Sequence, residues 1–205
     1  MPAATIDLPL SFEVPEGFHD LDLTVSAETN TNKLIDKLTK LKPPPGDAQI
    51  ARAALVQQAM YEMLAAAAAV YAGILLTRPA KDNPKGHLSS LMLTVTARPS
   101  ELSNDKTVHR LARTMGAIYP EAEVGVVRLT TGPAVLLTED CKVARPVNLL
   151  DDGGGSTTVR QLHVFVPVPG RLAMADFSIA TENLAEWDDY VDILGQVCNT
   201  ITFTS

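Results

Sequence analysis

From Ile6 onward hydrophobic and polar residues alternate. Ile6, Leu8, Leu10, Phe12 and Val14 share one face while Asp7, Pro9, Ser11 and Glu13 share the other, which predicts a half-buried strand. Pro9 and Pro15 withhold backbone donors and place this strand at a sheet edge. Pro15-Glu16-Gly17 then turns the chain toward Phe18, Leu21 and Leu23, the expected hairpin partner.

The period next lengthens to that of a helix. Ser26 can cap a segment whose apolar side is Leu34, Leu38 and Leu41, with Lys33, Lys37, Lys40 and Lys42 toward its C-terminal end, where the helix dipole favours cations. Pro43-Pro44-Pro45-Gly46 stops it, and Asp47 can cap a second, longer helix running through the alanines of 65–69. A strand is expected over Ile74–Thr77, a turn at Asn83-Pro84-Lys85-Gly86 and another strand over Leu88–Ala97. Ser103 or Asn104 can cap a third helix with Val108, Leu111, Ala112, Met115 and Ile118 facing inward, ended by Pro120.

Val124–Thr130, Gly132-Pro133 and Ala134–Thr138 read as strand, turn and strand. A polar loop at residues 151–156 precedes strands over Val159–Val168 and Arg171–Ile179. A last helix starts at Asn183, with Glu186 three residues on as in a capping box, and carries Leu184, Trp187, Tyr190, Val191, Leu194, Val197, Cys198 and Ile201 along one stripe, so Trp187 is expected to be buried. About eight strands joined mostly by tight turns, with helices between pairs, define an α+β fold with helices packed on a largely antiparallel sheet. The 205 residues suit a single domain over 1–205, because the 42 residues before the proline run are too few for a core of their own.

Composition narrows the function. A chain with 46% hydrophobic and 20% charged residues is neither disordered nor fibrous, and its formal charge of −7 disfavours general nucleic-acid binding. The first thirty residues have six acidic and no basic side chains, unlike a secretory signal or a transit peptide. The most apolar run, Met63–Leu76, is fourteen residues, short of the roughly 20 that cross a bilayer, so no membrane insertion is expected. Cys141 and Cys198 form neither a CxxC nor a Cys/His cluster. A cytoplasmic setting is the expectation.

Catalytic and cofactor signals are weak. Gly153-Gly154-Gly155 is followed by a strand rather than a helix and is flanked by Asp151 and Asp152, unlike a phosphate cradle. His19, His87, His109 and His163 lack metal-ligand spacing, so neither a metal nor any other cofactor is expected. No GxSxG occurs, and Glu139-Asp140 would blunt Cys141 as a nucleophile. Asp188, Asp189 and Asp192 read as a solvated face. No catalytic residue is assigned. Two candidate surfaces remain: Lys106, His109, Arg110 and Arg113 as a basic patch on the third helix, and Gln161, His163 and Phe165 sharing one face of a strand.

Three segments carry a resemblance. Arg171-Leu172-Ala173-Met174-Ala175-Asp176-Phe177-Ser178-Ile179-Ala180-Thr181, with Glu186-Trp187, Tyr190 and the finish Ile201-Thr202-Phe203, is similar to the end of the PsbP-like family in its actinobacterial branch. The opening Pro9-Leu10-Ser11-Phe12-Glu13-Val14-Pro15-Glu16-Gly17-Phe18 and the segment Ala69-Val70-Tyr71-Ala72-Gly73 resemble its short cytosolic members. The resemblance implies an α/β/α sandwich in a family of mainly non-enzymatic proteins, some bound to photosystem subunits or a Ran-type GTPase. It supplies no shared catalytic residue. The expectation is a non-enzymatic cytoplasmic protein-binding module, an adaptor, chaperone or assembly factor for a protein not yet known. The alternative is a small-molecule binder or enzyme using the sheet face around His163.

Overall fold

The computed structural model describes residues 9–67, 69–77, 89–100, 105–144 and 156–204. Its elements are β1 (Leu10–Ser11), β2 (Phe18–Asp20), α1 (Ala27–Thr39), α2 (Asp47–Ala66), β3 (Ala69–Thr77), β4 (Ser89–Pro99), α3 (Asp105–Ile118), β5 (Glu123–Leu129), β6 (Gly132–Ala144), β7 (Ser156–Pro167), β8 (Ala173–Thr181), α4 (Trp187–Asn199) and β9 (Thr202–Phe203). Seven strands form one antiparallel sheet in the order β2-β3-β4-β8-β7-β6-β5. The expected α+β class holds, with helices packed on both faces of the sheet.

Tight turns fix the register on the β5 side. Thr130 and Thr131 join β5 to β6, and Gly132 follows at a φ of +125°, which glycine alone adopts without strain. Between β7 and β8 the Arg171 N–H donates to the Val168 carbonyl at 3.2 Å across Pro169-Gly170, with Gly170 at φ +69°; proline and glycine each occupy the position this turn favours.

The first face of the sheet is sealed by α4. Leu162, Val164 and Val166 of β7 and Ala175, Phe177 and Ile179 of β8 pack with Tyr190, Leu194, Val197 and Cys198. Phe177 is fully buried, and the Phe12 ring meets it edge-on at 5.2 Å. This contact corrects the expected first hairpin. Leu10, Phe12 and Val14 lie over the sheet face, so their strand cannot enter the ladder beside β2. Instead β1 pairs with β9, Leu10 opposite Phe203, and β2 pairs with β3.

Other departures have similarly local causes. Gly46, not Asp47, holds the cap position of α2, its N–H donating to Gln49 Oε1 at 3.1 Å. The Asn183 side chain caps nothing, because residues 184–186 form a 3-10 turn and the Glu186 carboxylate accepts from the Ser89 and Tyr190 hydroxyls instead. Burial and then the Glu186 carboxylate push the Tyr190 phenol up to about 12. Ile118 ends α3 at 62% exposure rather than facing inward. The turn expected at 83–86, the caps Ser103 and Asn104, His87 and the Gly153–Gly155 loop lie outside the described residues.

Trp187 is only partly buried. The Arg160 guanidinium lies 5.5 Å from its ring centroid and is held there by a two-pronged pair with Asp140 at 2.7 and 2.8 Å. Chemical denaturation should therefore rank the two aromatic truncations. Phe177→Ala is expected to cost about 3 to 5 kcal/mol, and Trp187→Ala less, because its ring already meets water. Equal losses would contradict this packing.

Candidate functional site

The second face is covered only at its flanks. On one side Leu64 of α2 packs with Leu21, Ala72 and Ile74, and α1 lies against α2 with Leu34 and Leu38 buried. On the other, Val108, Leu111, Ala112 and Met115 of α3 pack over Val135, Leu137, Phe165 and Met174. Between α2 and α3 the sheet presents Met92, Thr94, Thr96 and Arg98 from β4, Asp176, Ser178 and Ala180 from β8, and Gln161 and His163 from β7. Alternation explains the stripe: these residues are the neighbours of Leu91, Leu93, Val95, Phe177 and Ile179, which go to the sealed face.

Asp176 anchors the stripe. Its side chain is 2% exposed; it forms an ion pair with Arg98 Nη2 at 2.9 Å and accepts a hydrogen bond from His163 Nδ1 at 3.0 Å. Arg98 comes from β4 and His163 from β7, the two strands that flank β8. His163 Nε2 lies 3.3 Å from Gln161 Oε1, and its ring stacks on Phe165 at 5.6 Å with an interplanar angle of 7°. Two adjoining cavities open over this network. One of about 210 Å³ is bounded by Met115, Tyr119 and Glu139. The other, of about 180 Å³, lies under Met63, Leu64 and Ala67.

Gln161, His163 and Phe165 are thus brought together. His109, Arg110 and Arg113 are exposed on the outer side of α3, while the Lys106 side chain lies outside the described residues. Sequence reasoning missed Arg98, Thr94, Thr96, Asp176 and Ser178. The available signal was a run of polar residues at every second position of two otherwise apolar strands.

The arrangement does not assemble a nucleophile relay. Ser178 stands directly across the ladder from His163, yet its hydroxyl bonds Thr94 Oγ1 at 2.5 Å while the imidazole nitrogens face Asp176 and Gln161. Among the described residues, no group of three or more His, Cys, Asp or Glu side chains could hold a metal ion. Burial and then Glu139 raise the Cys141 thiol, and burial pushes Cys198 up to about 12. Asp188, Asp189 and Asp192 are exposed on α4. No helix among the described residues is long and apolar enough to cross a membrane.

The sequence matches no family model and no curated protein. Among solved structures it is similar to LpqN, involved in cell envelope biogenesis of Mycobacterium tuberculosis. That likeness has 12% identity, covers 96% of this chain and 83% of LpqN, and has a TM-score of 0.43. Likeness at that level adds nothing to the architecture read from the chain itself. The resemblance to the PsbP-like family rests on the quoted segments alone.

Two measurements check the site. Arg98→Met leaves the buried Asp176 with one partner fewer and should cost about 1 to 3 kcal/mol. Adding Asp176→Asn should restore part of that loss, whereas additive losses in urea denaturation would show that the pair is not coupled. Iodoacetamide at neutral pH should alkylate Cys141 and Cys198 in the folded protein more slowly than a free cysteine, and both fully once it is unfolded. Rapid native-state labelling of Cys198 would contradict its burial.

Proposed function

We propose that this chain is a non-enzymatic protein-binding module of the cytoplasm, PsbP-like in kind, which docks a partner through its second face. The supporting observation is the separation of charge between the two helical layers. On the second face α3 carries Lys106, Arg110 and Arg113 against Asp105, with His109, Arg110 and Arg113 exposed. On the sealed face α4 carries Asp188, Asp189 and Asp192 with no basic residue. An overall charge of −7 therefore hides a polarity that would orient an acidic partner toward α3 and away from α4. Exposed Tyr119 and Met63 border the groove beside Arg98, and all three residue types are enriched at protein interfaces. As an adaptor, chaperone or assembly factor, the module needs this surface rather than a reactive group.

Affinity capture from the native cell, followed by binding measurements with the captured protein, tests the reading. Arg110→Glu with Arg113→Glu should leave stability within about 0.5 kcal/mol, since exposed charges add little to it. The same variant should weaken partner binding, and more so at low salt, where screening is least. Equal affinities of wild type and variant at low ionic strength would remove α3 from the interface.

A further inference from the structure

The cavity under α2 shares Met63 and Arg98 with the proposed docking surface and has further properties of its own. We propose that it is a binding site for a small organic acid, a carboxylate carried on a short apolar body. This goes beyond the protein-binding reading and does not depend on it.

Unused hydrogen-bonding capacity decides the head group. Asp176 is the most negative feature of the floor, but Arg98 occupies its Oδ2, His163 its Oδ1, and the side chain is 2% exposed. A ligand therefore meets donors. Among the described residues Asp176 is the one acceptor that Arg98 meets, and the Arg98 side chain, 57% exposed and lining this cavity, uses Nη2 for that contact, which leaves its other N–H groups available. Thr96 is 8% exposed and lines this cavity, while its hydroxyl oxygen is closed to water and has no hydrogen-bond partner among the described residues. A buried hydroxyl without a partner is costly, and a χ1 rotation that turns it toward an acceptor in the cavity relieves that cost. Arg98 and Thr96 are two positions apart on β4, on the same face of the strand, so one carboxylate can meet both.

The strand also sets the direction. Along β4 the floor runs from Arg98 through Thr96 and Thr94 to Met92, from a cation through hydroxyls to a thioether. Met63, Leu64 and Ala67 of α2 wall the cavity, so an apolar body lies against Met92 and α2 while its carboxylate faces Arg98. Methionine adapts to irregular ligands more readily than branched side chains do. Glu139, which would repel an acid, borders the neighbouring cavity and not this one. The volume of about 180 Å³ is below the roughly 300 to 1,000 Å³ of drug-sized sites and suits a ligand of a few carbons.

The test uses the full chain and two matched probes, hexanoate and hexanamide, followed by amide and methyl NMR. Hexanoate should give saturable shifts confined to β4, β7, β8 and the end of α2, and hexanamide should bind roughly tenfold more weakly, the loss of one charge-assisted contact. Thr96→Val keeps the side-chain shape and removes the unpartnered hydroxyl. It should fold at least as stably as wild type and bind hexanoate several-fold more weakly. Arg98→Met should lower affinity by at least about tenfold. Equal binding of the two probes, shifts elsewhere on the surface, or a folded Thr96→Val with wild-type affinity would overturn the proposal. Loss of partner binding in the α3 variant with hexanoate binding intact would separate the two sites.

Discussion

A carboxylate almost wholly removed from water, on the middle strand of a seven-stranded sheet, constrains this protein more than any other single group. Stripping a carboxylate of solvent costs several kcal/mol unless hydrogen-bonded charge compensates it. Asp176 is compensated from both sides, by the Arg98 cation on β4 and by a hydrogen bond from His163 on β7. The consequence extends beyond the pair. A helix laid across this stripe would bury Gln161 and the guanidinium of Arg98, whose side chain is 57% exposed, and an apolar helix face offers their remaining groups no partners. Accordingly α2 packs over β3 and α3 over β5 and β6, and the centre is left to solvent.

The opposite face obeys the reverse rule. In the middle of β4, β7 and β8 every second residue there is apolar, and α4 closes it, with Phe12 and Phe203 completing the cover. Stability is concentrated on one face, which frees the other to vary in chemistry. A protein built this way can present a groove with Arg98, His163 and Gln161 at its floor and basic α3 at its border without weakening its main core. The binding function proposed for the second face follows from that division.

Much of the fold was legible because its elements are local. The stripes of α1 and α4, the β5–β6 turn and the two-faced β7 all read directly from periodicity. What escaped depended on distant partners. Phe12 alternates as an edge strand should, yet nothing near it reveals that Phe177, 165 positions later, draws it over the sheet. Asn183 and Glu186 have capping-box spacing, but Ser89 and Tyr190 claim the carboxylate. In the candidate site, Gln161, His163 and Phe165 were visible as neighbours on one strand. Arg98 and Asp176 were not, because they meet only when β4 and β8 pair. The clue was the alternation of polar residues in β4 and β8, and the β8 part entered only within a family resemblance.

The central claim is that Asp176 organises the second face through its two neighbours, and the protonation pattern of one ring reports it directly. A carboxylate accepts, so the hydrogen bond at 3.0 Å requires His163 Nδ1 to carry a proton. Two-bond nitrogen–proton NMR of the imidazole in the wild-type protein at neutral pH reads this without any substitution. The account predicts a protonated Nδ1 whose signal changes in Asp176→Asn. An imidazole protonated at Nε2 alone, unaffected by that substitution, would contradict it.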